Sequence, residues 1–270
     1  MIAVPEQFTP RINCVYPPNN IEEFEYWFYK SYDGDQTDRE YLPILFCAYQ
    51  VNNSYGEDYA AMKALQDYVD TLPSDKKYFC VSQYDNGVGV DWKGKDVLEF
   101  NMSKTGENKY PLPLIGQPHP YKFNSEKKYL ANFVGNITHD IRNHAKTLQG
   151  MDGYYISFER HDPYEYCKII SESVFTLCYR GYGINSFRIA EALQYDSTPI
   201  YISDEFVEIH NVSFDLFGHT FTDKSLDRIS ICLPYFSSVF TKEIRPKIYQ
   251  EYFTYEGTKY KILKHLQTIK

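Results

Sequence analysis

No run of lysine and arginine in this chain is longer than a pair, so it lacks the basic stripe that neutralises successive phosphates of DNA or RNA. Its 28 basic residues are outnumbered by 36 acidic ones, giving a net charge of −8, and we expect no nucleic-acid partner. No stretch approaches the roughly 18 consecutive apolar residues of a membrane-crossing helix. The opening Met1-Ile-Ala-Val-Pro-Glu-Gln7 also lacks the basic and then apolar pattern of a secretory leader, so we expect a cytosolic protein without membrane insertion. CxxC spacing is missing too. The six cysteines (Cys14, Cys47, Cys80, Cys167, Cys178, Cys232) are scattered, and Cys47, Cys80 and Cys178 fall inside apolar runs, as buried thiols of a reducing compartment do. There is no internal repeat, no low-complexity linker and no coiled-coil motif, which leaves a monomer as the expectation.

What the chain does have is aromatic rings. They make up 17% of its 270 residues, with 27 tyrosines, whose apolar faces and hydroxyl tips suit both an aromatic-rich core and half-wet clefts that stack on sugar rings. The order of signals is mostly alternating. A short strand (12–16) stopped by Pro17-Pro18 precedes an aromatic helix (21–32), and 42–51 reads as a buried strand. A helix over 59–72 has Ala60, Ala64, Leu65, Tyr68, Val69 and Leu72 at helical spacing. A strand (78–82), the turn-rich Asp85-Asn-Gly87-Val-Gly89 and a short strand (97–100) follow.

The proline-punctuated stretch 110–120 reads as an interdomain passage. The alternation then restarts: strand 129–134, helix 139–148, strand 153–158, helix 163–173, strand 174–179, helix 186–195, strand 199–203, and helices from Ser225 onward. Two βαβ series predict an α/β protein of two small Rossmann-like domains facing across a cleft. We place them at 1–125 and 126–250, with a helical tail, 251–270, returning to the first.

One segment concentrates chemistry. Val174-Phe-Thr-Leu-Cys-Tyr179 is a β-prone run followed by Arg180-Gly181-Tyr-Gly183 and a helix with Ser186 as its natural N-cap. In a parallel sheet, ligands bind beyond the carboxyl ends of strands, where a glycine loop lets backbone N–H groups approach a phosphate. Arg188 and Glu191 lie three residues apart on one helix face, the guanidinium suited to a pyrophosphate and the carboxylate to a ribose diol. The same spacing suits an ordinary surface pair beside a glycine turn, and neither the lysine-bearing phosphate loop nor the GxGxxG fingerprint is present.

The run from Tyr166 through Cys178-Tyr-Arg180-Gly181-Tyr-Gly-Ile-Asn-Ser186-Phe-Arg188-Ile-Ala-Glu191-Ala-Leu193, continuing to Thr198-Pro199-Ile-Tyr-Ile-Ser203-Asp204, resembles the donor-site signature of exostosin-like glycosyltransferases. Weaker similarity extends through Tyr129 to Asn143, Phe79 to Gly87 and Leu42 to Tyr49, covering most of the chain in the family's order. The resemblance implies a GT-B arrangement with an acceptor-side first domain and a nucleotide-sugar-binding second domain. It also implies inverting transfer from a UDP-sugar to a glycan acceptor, without an essential metal or other cofactor.

Carried over residue by residue, Arg180, Gly181, Ser186, Arg188 and Glu191 line the UDP site, while Gly135 and Arg142 approach the diphosphate from the domain's first loop. The sequence departs from the family pattern at Tyr179 (commonly proline), at Asp196-Ser197 (usually Gly-Cys) and after Asp204, where Leu-Pro-Phe is missing. These departures touch sugar specificity, and UDP-xylose is the donor favoured for a compact chain. The missing anchor suits the compact relatives of bacteria and large DNA viruses.

Inverting transfer needs a base for the acceptor hydroxyl. Asp85, after a strand and in a turn with Gly87, is the first candidate and His119 the second; each is equally suited to a plain turn or loop role. A rival reading takes Asp33-Gly-Asp35 as a DxD metal clamp, although it follows a helical stretch rather than closing a strand. A non-catalytic nucleotide-sugar or glycan-binding module fits the same pocket. A glycosidase would leave no sequence signature of its carboxylates, yet would not explain the phosphate geometry.

Overall fold

A computed structural model describes residues 2–11, 22–34, 37–102, 106–236 and 244–269. The expected strand at 12–16, Cys14 and Asp35 lie outside these residues. Along the chain run α1 (Phe24–Ser31), β1 (Glu40–Tyr41), α2 (Phe46–Asn52), α3 (Tyr59–Asp70), β2 (Lys77–Ser82), β3 (Asp96–Asn101) and β4 (Lys109–Pro111). Then come β5 (Tyr129–Val134), a 3-10 turn (Asp140–His144) leading into α4 (Ala145–Leu148), β6 (Tyr154–Ser157), α5 (Pro163–Ser171), β7 (Ser173–Tyr179), α6 (Arg188–Gln194), β8 (Thr198–Ile202) and β9 (His219–Phe221). Helices α7 (Ile229–Cys232), α8 (Arg245–Tyr252) and α9 (Tyr255–Thr268) complete it. None of the described helices is long and apolar enough to cross a membrane.

The chain divides into two compact units, Met1–Leu112 with Tyr255–Lys270, and Pro113–Thr254. Each holds one sheet, and every strand pairing in both is parallel, as the α/β expectation required. Parallel sheets are covered on both faces, which is why β2, β7 and β8 read as near-continuous apolar runs.

In unit 1 the order is β1-β2-β3-β4. Its core gathers Phe8, Leu42, Phe46, Leu65, Val69, Tyr78, Cys80 and Val97. The tail helix α9 belongs to this unit: the Tyr255 ring packs 5.3 Å from both Phe24 and Trp27, and its hydroxyl donates to the Glu22 carbonyl at 2.7 Å.

The expected strand over 42–51 is a helix instead. Leu42 donates one strand-like bond to the Phe79 carbonyl, Pro43 has no N–H to continue the ladder, and the chain turns into α2. Phe46, Tyr49 and Gln50 are buried at helical spacing, a pattern that a short apolar run hides. Glu25 of α1 accepts the Cys47 N–H at 2.9 Å, satisfying a donor in the first turn of α2.

In unit 2 the order is β6-β5-β7-β8-β9, so the unit's second strand lies on one side of its first and the third on the other. This is the doubly wound 2-1-3-4-5 arrangement, whose ligand crevice opens beyond the carboxyl ends of the two strands where the order reverses, here β5 and β7. Ala131 and Phe133 of β5, Phe175, Leu177 and Tyr179 of β7, and Ile200 and Ile202 of β8 form the core. Beneath it Asn132 donates to the Thr176 hydroxyl at 2.9 Å and Thr176 pairs with Ser197 at 2.8 Å, so the buried polar groups between β5 and β7 are satisfied.

Candidate functional site

Strand β5 runs into Gly135 and β7 into Arg180 and Gly181, so both loops open at the reversal of strand order. Arg188, the first residue of α6, reaches back to β5: its Nη2 and Nε donate to the Val134 carbonyl at 2.6 and 3.2 Å. Its guanidinium carbon stands 5.0 Å from the centre of the Phe133 ring. Arg142, on the 3-10 turn after β5, donates through Nε to the Arg180 carbonyl at 2.7 Å and through Nη1 to that of Asn136 at 2.8 Å. It is only 6% exposed and also lies near the Phe133 ring, at 5.9 Å. These carbonyls orient the two guanidiniums, and the Arg188 charge also acts on Glu191, one turn along its helix.

Gly135 makes room for Arg188, whereas Gly181 meets Arg142 at ordinary contact distance. A Cβ on Gly181 would stand 3.4 Å from Arg142 Nη2, while one on Gly135 would fall 2.1 Å from Arg188 Nη2. Arg180 is the third cation: it pairs with Asp204, at the end of β8, and donates to the Tyr182 carbonyl at 3.2 Å. Burial pushes the Asp204 carboxyl up, and the Arg180 hydrogen bond and charge outweigh it, so its pKa is lowered. Two buried polar atoms here make no hydrogen bond, Arg180 Nε and Thr138 Oγ1.

Glu191, one turn along α6 from Arg188, has partners that its sequence position did not suggest. His119 Nε2 lies 3.3 Å from Oε1, and the Tyr166 hydroxyl of α5 donates to Oε2. Burial works against charge on both partners. It is outweighed in His119 by hydrogen bonding and the Glu191 charge, and in Glu191 by His119 first, so the histidine pKa is raised and the carboxyl pKa lowered. For His119 the Cys167 side chain is the first of the raising partners and Glu191 the second, although Nδ1 itself makes no hydrogen bond. The result is a half-buried contact, an ion pair whenever the imidazole is protonated. His119, the second candidate for the base, thus contacts Glu191 within unit 2.

No protein-family model matches the chain, and no curated protein does.

Ser186 does not cap α6. Its N–H is taken by Asn185 Oδ1 at 2.8 Å and Phe187 is already helical, so the helix starts at Arg188. At seven residues α6 brings little macrodipole to the loop, and positive potential at this edge comes from the arginines. Asp85 opens the turn after β2 at the carboxyl edge of the sheet of unit 1, where Gly87 donates to the Tyr84 carbonyl at 2.9 Å. Asp33 follows α1 and closes no strand, unlike a metal-clamping DxD. Sequence reasoning missed Phe133, Thr138 and Tyr166 as site residues; the first two could have been found by asking what lies at the carboxyl end of β5.

Proposed function

We propose that the chain is a glycosyltransferase that takes its sugar from a UDP-sugar, UDP-xylose being the first choice, and passes it to a glycan with inversion. The observation that carries this reading is that backbone carbonyls hold Arg142 and Arg188 at the carboxyl ends of β5 and β7. A diphosphate suits two fixed guanidiniums and a glycine loop that lets it approach the backbone. Glu191 retains acceptor capacity beyond its bonds to His119 and Tyr166, which fits a ribose hydroxyl.

In the transfer, the acceptor hydroxyl attacks the anomeric carbon as the bond from that carbon to the β-phosphate oxygen breaks. The charge left on UDP is stabilised by Arg142, Arg188 and Arg180, and Asp85 is assigned as the base for the acceptor proton. The experiment is a transfer assay with UDP-sugars and oligosaccharide acceptors in EDTA, read by mass spectrometry. A product one sugar heavier supports the proposal. UDP binding without transfer would reduce the chain to a binding module, and transfer restored only by a divalent ion and lost in Asp33→Ala would favour the metal clamp.

A further inference from the structure

Strand β6 ends at Ser157, whose carbonyl accepts the Gly135 N–H at 3.0 Å, so this residue stands at the carboxyl edge of the sheet of unit 2. The chain leaves the sheet there and enters α5 at Pro163. Asp162 is the N-cap, its carboxylate accepting the Tyr164 and Glu165 N–H groups, and the cap sets Glu165 in the first turn.

Three side chains meet at this bend. Ser157 Oγ and His161 Nε2 are 3.1 Å apart, and His161 Nδ1 lies 3.1 Å from Glu165 Oε2. The two ring nitrogens therefore have different tasks. A carboxylate only accepts, so Nδ1 carries the proton directed at Glu165, and the lone pair of the neutral ring is left on Nε2, facing the serine. The Glu159 N–H donates to Ser157 Oγ at 3.2 Å, which leaves the hydroxyl proton for the imidazole. Nucleophile, base and orienting carboxylate stand in that order, the arrangement that turns a weak alcohol into a nucleophile. The His161 side chain is only 12% exposed, which holds the ring in place, while Ser157 is partly open to solvent.

None of these residues takes part in the arginine site. The Tyr155 ring, 6.0 Å from that of His161 and 5.1 Å from that of Tyr129, gives the imidazole an aromatic neighbour. Burial first, then the charge of Glu165, with Tyr129 and Glu159 behind it, pushes the Tyr155 phenol up, so the surroundings are negative and disfavour an anionic acyl group.

We propose that Ser157, His161 and Glu165 form a serine esterase centre for neutral carboxylic esters. Ser157 Oγ attacks the carbonyl carbon as His161 Nε2 takes its proton. The bond from that carbon to the alcohol oxygen breaks, and the imidazolium gives the proton to the leaving alcohol. Water then attacks the acyl-serine, passing a proton to His161, which returns it to Ser157 Oγ as the acid departs. The sum is ester plus water to acid plus alcohol.

The test treats the full chain with p-nitrophenyl acetate and, separately, with a fluorophosphonate reagent for activated serines, read by intact and peptide mass spectrometry. Wild type should hydrolyse the ester and take up the fluorophosphonate on Ser157. Ser157→Ala should do neither, and His161→Gln should be about a hundredfold slower in both reactions. Glu165→Gln should lower kcat at unchanged KM, as loss of a positioning residue does. Unchanged Tm values in the three variants separate lost chemistry from lost fold. Wild type that takes up no label, a label on another residue, or Ser157→Ala hydrolysing as fast as wild type would overturn the proposal. UDP titrated in parallel reports on the arginine site separately, so the failure of either reading leaves the other standing.

Discussion

Gly135 and the Arg188 guanidinium share one space, since a Cβ built on the glycine would stand 2.1 Å from Nη2. Gly135→Ala must therefore displace the arginine from the Val134 carbonyl. We predict a loss of about 1–3 kcal/mol in stability from the overpacking, and UDP affinity reduced tenfold or more. Denaturant unfolding and calorimetry check the two effects. Unchanged UDP affinity in a destabilised variant would separate the glycine from the ligand.

Arg142 joins the loops after β5 and β7 through carbonyls that lie in different directions, which a planar fork can reach and a single ammonium cannot. Arg142→Lys is expected to lose about 2–4 kcal/mol of stability, as buried carbonyl partners are left unsatisfied. Far-UV circular dichroism in urea follows it. A lysine variant as stable as wild type would show that the bridge is dispensable.

Burial pushes the Glu25 carboxyl up to about 8, against the lowering effect of the Gln83 and Cys47 N–H bonds and with help from the charge of Glu23. The raised folded pKa makes this contribution to stability complete below about 4.5, with loss setting in as pH climbs toward 8. Unit 1 should lose about 2–4 kcal/mol between pH 5 and 8, and Glu25→Gln should flatten that slope. Both tryptophans, Trp27 and Trp92, lie in unit 1, so intrinsic fluorescence reads it directly.

The His119–Glu191 pair has the opposite signature on each side. Its Glu191 share is present above about 4.5 and lost as pH falls through the lowered carboxyl pKa. Its His119 share is present below about 6.5 and lost only as pH rises through the raised imidazole pKa. His119→Leu leaves the Glu191 carboxylate with Tyr166 and the Arg188 charge, and Glu191→Leu leaves an imidazole that can shed its proton, so each should cost about 1–3 kcal/mol and the double variant less than their sum. Nitrogen-15 NMR should find the His119 ring still protonated at pH 8.

Strands β2, β5, β7 and β8 were legible because buried parallel strands are uninterrupted apolar runs. The run 42–51 has the same composition and was not, since neither strand nor helix periodicity stands out when Leu42, Ile44, Leu45, Phe46 and Ala48 are all buried. β9 is only three residues long and gives no pattern to read. In the site, Arg188, Gly135 and Arg142 could be named because glycines and arginines at strand ends carry the chemistry locally. The His119–Glu191 pair could not, since 72 residues separate its partners and it takes the docking of the irregular segment before β5 on Gln194 of α6 to bring them together.

The most direct measurement is calorimetric titration of metal-free protein with UDP, for the wild type and for Arg188→Ala with its folding confirmed by circular dichroism. UDP should bind the wild type in EDTA and lose at least about tenfold in affinity in the variant. No binding to the wild type, or equal binding to both, would contradict a diphosphate site at the ends of β5 and β7.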